Sequence, residues 1–523
     1  MVSPELARHL CEISLDVGRQ VGVLIDRDGA VRSVIVGDAT HLILPDVGRL
    51  RGGVGRFRGL RLVHTHLRGE LLTEDDLNDL VLLRLDAVAM LEVLPDGRSG
   101  RVELALIQPG AYGDGAGEPF RRALARDVHS LGLDFEGEIR ALEQEFARAT
   151  QRSGEVGRER AIVVGVSTDD DRFEETLELV AAAGVEVSGT IRQRRKAVHP
   201  KTVVGQGKLK AIVLEGMRRA ASVAIFDIDL KPGQARAFED ATGLKAIDRT
   251  QLILDIFAQR ARSRDGKLQV ELAQLKYSLP RLTERDAGLS RLTGGIGGRG
   301  PGETVMEIGR RRIRDRIRAL ERQIEKLSRQ RDVRRRRRRE RLPVLSIIGY
   351  TNAGKSTLLN ALTNSEVEAA DRLFMTLDPT SRRLRFPREG EVVVTDTVGF
   401  IADLPRDLIT AFQATLEELA DADLLLHLVD AADERLDAKK VAVERLLADL
   451  SLDAIPRLVV LNKTDRLPVT QVASLARRYE GVAVSALQRR GLAELVDAAE
   501  RELRRDRPPG REPGLSPAAP ANL

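Results

Sequence analysis

The chain has 523 residues, which at roughly 100–200 residues per domain implies three or four domains. Apolar residues make up 42% and charged residues 31%, so buried cores are possible and a largely disordered or fibrous chain is excluded. Aromatics reach only 3% with no Trp, against base-stacking platforms, and the single cysteine, Cys11, excludes an internal disulfide and any Cys-rich zinc module. No apolar run approaches the roughly 18–20 residues of a membrane span, and MVSPELARHL does not read as a signal peptide, so a cytoplasmic protein is expected. The formal net charge is +5, yet Arg291–Arg341 holds nineteen basic against seven acidic residues, a local excess of +12 on an otherwise acidic body. Such a stretch suits a polyanionic partner, most simply nucleic acid, unless it is only a solvated helix face.

Residues 1–107 read as a small α+β unit. Val21–Gly37 holds two apolar runs around an Asp-Gly turn, a hairpin signal, and Leu72–Leu85 has helical spacing with Thr73 as N-cap. Residues 108–159 are assigned to a linker, Gln108–Pro119, followed by a helix over Asp134–Thr150. From 160 to 261 strands (Ala161–Ser167, Val185–Ile191, Ser222–Ile228) alternate with helices, which predicts a small parallel sheet. Two apolar stripes follow in 262–341: Leu268, Leu272, Leu275 and Leu279, then Met306, Ile313, Ile317, Leu320, Ile324 and Leu327. They predict a long antiparallel helical hairpin with a glycine-rich tip, Thr293–Thr304, and a basic end, Arg334–Arg339. Alternating β and α patterns return over 342–505, and the Pro-rich tail 506–523 is expected to be disordered. The fold class is therefore α/β multidomain.

The most specific signal is Val344–Leu362, an apolar strand running into Gly349-Tyr350-Thr351-Asn352-Ala353-Gly354-Lys355-Ser356-Thr357 and a helix. Backbone amides freed by the glycines converge on the α/β-phosphates, Lys355 reaches the β/γ-oxygens, and the Ser356 hydroxyl is the expected Mg²⁺ ligand. Three further elements follow in order. Asp396 ends a strand and suits the Mg²⁺ shell, with Thr397, Val398 and Gly399 next and the Gly399 amide at the γ-phosphate. Asn462-Lys463-Thr464-Asp465 ends another strand, where Asp465 can accept two hydrogens that guanine presents and adenine does not, Asn462 fixes the loop and Lys463 covers the base. Ser485-Ala486-Leu487 offers an amide to the guanine carbonyl. Together they predict a P-loop G domain, a doubly wound, mostly parallel sheet that binds GTP rather than ATP.

Between the phosphate loop and Asp396, the run Phe374-Met375-Thr376-Leu377-Asp378 supplies Thr376 as the candidate switch threonine, a Mg²⁺ ligand only while the γ-phosphate is present. Phe400 stands where Ras-like enzymes carry the glutamine that orients the attacking water. Asn352 suggests a remedy, a K⁺ ion held against the phosphates in place of an arginine's charge. Lys355, Thr376, Gly399 and Asn352 are thus the catalytic candidates.

On these residues, together with Lys201–Ile212, Asp248–Tyr277 and Gly294–Thr304, the chain from about Arg160 to Arg505 resembles the HflX family of translational GTPases. The resemblance implies an N-terminal α/β domain, a helical hairpin and a G domain. It further implies a monomer that binds the large ribosomal subunit and its rRNA, hydrolyses GTP to GDP, and splits or rescues stalled ribosomes. It also raises a second nucleotide site at Val203–Lys208, read as a strand followed by a short glycine turn. The rival class, a TrmE-like RNA-modification or assembly factor, would carry a C-terminal cysteine motif, and Cys11 is the sole cysteine. A scaffold with an inactive G domain is disfavoured because every phosphate and base contact is present.

Residues 1–107 lie outside that likeness, and their Leu62–Leu77 run resembles the His-x-His core of a JAMM/RadC-type fold in degenerate form. By that resemblance His64, His66 and Asp76 are the zinc ligands. Two departures speak against metal: the His66–Asp76 interval is one residue short, which threatens to turn the Asp away, and Arg19-Gln20 stands where a general-base Glu belongs. No zinc and no peptidase activity are the expectation.

Overall fold

The computed structural model describes residues 2–42, 44, 57–108, 120–132, 134–152, 159–194, 197–261, 263–284, 305–339, 342–363, 380–386, 390–396, 399–400 and 419–505. They form two units, 1–252 and 253–523. In the first unit, β1 (Val21–Asp26) and β2 (Val31–Val36) make the hairpin expected from the Asp-Gly turn, with Gly29 at φ 89°. They belong to a six-stranded sheet ordered β2-β1-β3-β4-β5-β6, where β3 is Leu60–His66, β4 Ala87–Val93, β5 Ser99–Ile107 and β6 Phe120–Ala125. All neighbours are antiparallel except β3 and β4, a parallel pair between which the chain runs through helix α2 (Glu74–Leu82).

Strand alternation sorts the sheet's side chains onto two covered faces. On one, Val23, Val63, Leu91 and Leu104 pack with Leu10 and Cys11 of α1 (Pro4–Val17) and with Phe135 and Ile139 of α3 (Phe135–Arg152). On the other, Leu24, Leu62 and Met90 pack with Leu77, Leu80 and Val81 of α2. The expected boundary at 107 is therefore too early. Residues Phe120–Ala125 pair with β5, so Gln108–Pro119 joins two strands of one sheet instead of two domains.

The second sheet, β10-β9-β7-β8, is parallel throughout, as the strand–helix alternation predicts: β7 is Arg160–Gly165, β8 Glu186–Arg192, β9 Val223–Phe226 and β10 Lys245–Ile247. Helix α5 (Gln206–Arg219) contributes Val213, Leu214 and Met217 to the α2 side of the first sheet, and Arg84 donates 2.8 Å to the Thr242 carbonyl. Helix α5 thus packs on both the first sheet's core and, through Leu209 and Ile212, that of the parallel sheet. Val203 and Val204 are buried but not a strand; Val203 adopts φ 69° and Gly205 is the N-cap of α5, so the strand-then-glycine-turn reading of Val203–Lys208 is corrected.

In the second unit the two apolar stripes do meet. Leu272, Ile317 and Leu320 are buried, and Leu268, Leu275, Leu279, Ile313 and Ile324 pack on them. They lie on the helices Arg264–Glu284 and Val305–Arg339. Across the same pair of helices Glu271 pairs with Arg316 at 2.7 Å and Lys276 with Glu321 at 2.8 Å. The glycine-rich segment Thr293–Thr304 lies outside the described residues.

The remaining sheet is ordered β12-β13-β11-β14-β15-β16, with β11 Val344–Gly349, β12 Thr380–Phe386, β13 Gly390–Asp396, β14 Leu424–Asp430, β15 Arg457–Asn462 and β16 Val482–Ala483. Every pair is parallel except β12–β13. Ile347, Leu426, Leu428 and Val460 fill its core with Leu358 and Leu359 of the helix Lys355–Thr363. The carboxyl ends of β11, β13, β15 and β16 bring the four sequence elements to one edge, where open α/β sheets bind ligands.

Candidate functional site

The phosphate loop leaves β11 at Gly349 and enters its helix at Lys355. Two glycines are demanded by space. A Cβ on Gly354, at φ 93°, would stand 2.4 Å from Asn462 Nδ2, and one on Gly399 would stand 2.8 Å from Thr351 Cγ2 and 3.0 Å from Lys355 Nζ. Residues 399–400 are strapped to the loop, since Thr351 N–H donates to the Phe400 carbonyl at 2.7 Å and Phe400 N–H to the Gly349 carbonyl at 3.1 Å. The Phe400 side chain is buried, so this residue serves the loop through its backbone and holds no water in place of a glutamine. Asn352 is exposed in a left-handed conformation at φ 63°.

Lys355 is buried and turns its ammonium onto the loop's own carbonyls, Tyr350 at 2.9 Å and Gly349 at 3.2 Å. Burial pulls its pKa down to about 8, against the opposing charge of Asp396. A loop that concentrates a desolvated cation among inward amides is built for a polyanion. Ser356 Oγ donates to Asp396 Oδ2 at 2.7 Å, which places the hydroxyl and the buried carboxylate side by side as expected of a Mg²⁺ shell.

Asn462 is the keystone of the base loop. Its Nδ2 donates to the Ala353 carbonyl at 2.8 Å and its Oδ1 accepts from Ala486 N–H at 3.0 Å, so one buried amide ties the phosphate loop to the Ser485–Leu487 loop. Asp465 accepts from Ser485 Oγ at 2.5 Å, and Thr464 Oγ1 donates to the Val484 carbonyl at 2.8 Å. These contacts hold the Asp465 carboxylate against the Ser485–Leu487 loop, the two parts that would read guanine. Lys463 sits at φ 60° with its ammonium 2.8 Å from Asp430 Oδ2. Asp430 was missed in the sequence, although a carboxylate closing an apolar strand next to an Asn-Lys-x-Asp strand was a usable signal. Phe374, Met375, Thr376, Leu377, Asp378, Thr397 and Val398 lie outside the described residues.

The N-terminal cluster corrects an expectation. His64 and His66 are both buried on β3, and Asp76 is turned toward them. His64 Nε2 lies 3.0 Å from His66 Nε2 and 3.1 Å from Asp76 Oδ1, and His66 Nε2 lies 3.6 Å from Asp76 Oδ2. The short interval does not point the Asp away, because Thr73 N–H and Oγ each donate to Asp76 Oδ2 at 2.7 Å and the capping box swings the carboxylate back over the strand. Burial pushes the Asp76 carboxyl up, but His64 and Thr73 outweigh it and hold it well below the usual carboxylate range. Burial and the His64 charge lower the His66 pKa.

Three family models match the chain: the N-terminal region of GTP-binding GTPases over residues 170–258, their middle region over 260–338, and the 50S ribosome-binding GTPases over 344–463. Relatives include the GTPase HflX of Caldanaerobacter subterraneus subsp. tengcongensis, 48% identical over 350 residues, covering 66% of this chain and 81% of that protein. The GTPase HflX of Escherichia coli K12 is 48% identical over 314 residues, covering 59% of this chain and 74% of that protein. A solved GTP-binding protein from Sulfolobus solfataricus in complex with GDP is similar at 24% identity and a TM-score of 0.39, over 66% of this chain and 99% of that one. A P-loop enzyme that hydrolyses GTP, the chain belongs to the HflX family of GTPases.

Proposed function

We propose that the protein acts on the large ribosomal subunit, adopting the ribosome-competent conformation with GTP and leaving after hydrolysis to GDP, and that it thereby splits or rescues stalled ribosomes. The observation that carries this reading is the likeness to 50S ribosome-binding GTPases over residues 344–463, preceded by a 35-residue helix ending in Arg334–Arg339. Phosphate contacts from such a helix give affinity for rRNA without reading sequence. Ser356 and Asp396, held 2.7 Å apart, fit a Mg²⁺ shell, with Thr376 as the switch ligand; the ion would neutralise charge developing on the β/γ-oxygens. Asn352, exposed on the loop, supports a K⁺ ion there in compensation for Phe400. The protein's action is placed in the cytoplasm, as a monomer; no helix among the described residues is long and apolar enough to cross a membrane. The TrmE-like alternative finds no thiol to work with: Cys11 is fully buried, and burial pushes its thiol up to about 11. We read residues 1–107 as a degenerate JAMM/RadC-like region without peptidase activity, supported by the order hairpin, His-x-His strand and capped helix.

Sedimentation with purified large subunits tests the main reading. The protein should pellet with a non-hydrolysable GTP analogue and stay in the supernatant with GDP. Equal pelleting in both states, or none in either, would refute it.

A further inference from the structure

We propose that Lys439 is a positioning residue for the phosphate loop: its ammonium, tethered by Asp433, lies over the Tyr350 ring and fixes the stretch of backbone that holds Lys355. Lys439 stands one turn into the helix Leu436–Asp449, which follows β14. Its Nζ is 5.0 Å from the centroid of the Tyr350 ring, within the roughly 6 Å at which an ammonium is drawn to an aromatic face. Tyr350 is buried and the Lys439 side chain is 26% exposed, so the contact is partly withdrawn from water, which strengthens the attraction.

The cation is held from its other side as well. Lys439 Nζ donates to Asp433 Oδ2 at 2.5 Å, and the same carboxylate accepts from Arg435 N–H at 2.8 Å. Burial pushes the Asp433 carboxyl up, but Lys439 and the Arg435 amide outweigh it and hold it below the usual carboxylate range. Asp433 is placed by the turn that closes β14, where its own N–H donates to the Asp430 carbonyl at 3.3 Å. The same turn carries Asp430, whose Oδ2 meets Lys463 Nζ at 2.8 Å. One short connection, residues 430–436, thus anchors one lysine in the base loop and another against the phosphate loop.

Tyr350 is where such an anchor matters. Its carbonyl accepts from Lys355 Nζ at 2.9 Å and from Ala353 N–H at 3.3 Å, and the residue bridges to Phe400 in the strap. A ring free to rock would let that carbonyl turn, and with it the ammonium that serves the β/γ-oxygens. Asp433 neutralises Lys439, so Lys439 acts through Tyr350 and is not a phosphate ligand. An ordinary surface salt bridge between Asp433 and Lys439 would be worth little and silent toward nucleotide.

Lys439→Met keeps an unbranched stem against the ring and removes the charge. Release of fluorescently labelled GDP from the full-length protein should then be faster by about three- to tenfold, the range of a partly buried cation–π contact. Lys439→Arg, a cation that also lies well over aromatic faces, should restore release to within about twofold of the wild type. In a Tyr350→Leu background, which has no ring, Lys439→Met should change release by less than about twofold, whereas with Tyr350→Phe its full effect should remain. If Lys439→Met releases GDP at the wild-type rate, the proposal is overturned. It is equally overturned if the effect persists undiminished with Tyr350→Leu, since the lost charge would then act on the nucleotide at long range and not through the ring. Should Tyr350→Leu fail to hold nucleotide, Asp433→Asn decides: it keeps an acceptor for Arg435 N–H while loosening the tether, so it should speed release on its own and add nothing to Lys439→Met. Full additivity of those two substitutions would overturn the proposal.

Discussion

Asn462→Ala is the substitution whose cost can be worked from the structure. The side chain is 2% exposed and makes two hydrogen bonds, to the Ala353 carbonyl at 2.8 Å and from Ala486 N–H at 3.0 Å. Both partners are themselves buried, at 2% and 3% exposure. Removing the amide strands one acceptor and one donor, each costing about 1–3 kcal/mol, so the loss is about 2–6 kcal/mol. Against a domain stability of roughly 5–15 kcal/mol that is a large fraction. Asn462→Asp should rescue little, because it keeps the acceptor for Ala486 but sets a carboxylate oxygen against the Ala353 carbonyl. Urea unfolding followed through the G-domain transition measures the loss, and calorimetry with GDP should show affinity falling with it. A change below about 0.5 kcal/mol with unaltered GDP binding would refute the keystone role, since it would lie within the range of ordinary surface substitutions.

Lys355 predicts two opposite pH trends. Its folded pKa, about 8, lies below the ordinary 10.5, so the unfolded chain binds more protons in that window and the nucleotide-free domain should gain stability as pH rises through it. Nucleotide phosphates need the charged form, so GDP affinity measured by calorimetry should fall above pH 8, and an affinity flat to pH 10 would remove Lys355 from the phosphates. Asp465→Asn should relax the preference for guanine, because an amide cannot accept two hydrogen bonds as the carboxylate does; competition binding with ATP reads this out, and undiminished discrimination would place base recognition elsewhere. Replacing K⁺ by Na⁺ should slow hydrolysis if Asn352 helps hold a cation, and equal rates in both salts would remove the ion from the mechanism.

The nucleotide site was legible because its signals are local. Gly349 to Ser356 carry their own strand–loop–helix context, and Asn462 and Asp465 close a strand whose apolar run is unmistakable. Where the outcome depended on how distant segments meet, the sequence was silent. Phe120–Ala125 has arginines at two of six positions and one fully buried residue, so an edge strand hid behind a glycine-rich connection. Interval counting misjudged Asp76. Residue number says how long the connection from His66 is, whereas the Thr73–Asp76 cap decides where the carboxylate points. The capping pair was written in the sequence, and its consequence for the cluster needed β3 and α2 placed together.

GTP turnover with and without purified large ribosomal subunits tests the central claim most directly. The family assignment and the basic helix together predict slow hydrolysis by the protein alone, in keeping with Phe400 in place of a water-orienting glutamine, and a marked, saturable acceleration by the subunit. That acceleration should vanish in Lys355→Ala. Turnover that large subunits leave unchanged would contradict a GTPase that works on the ribosome.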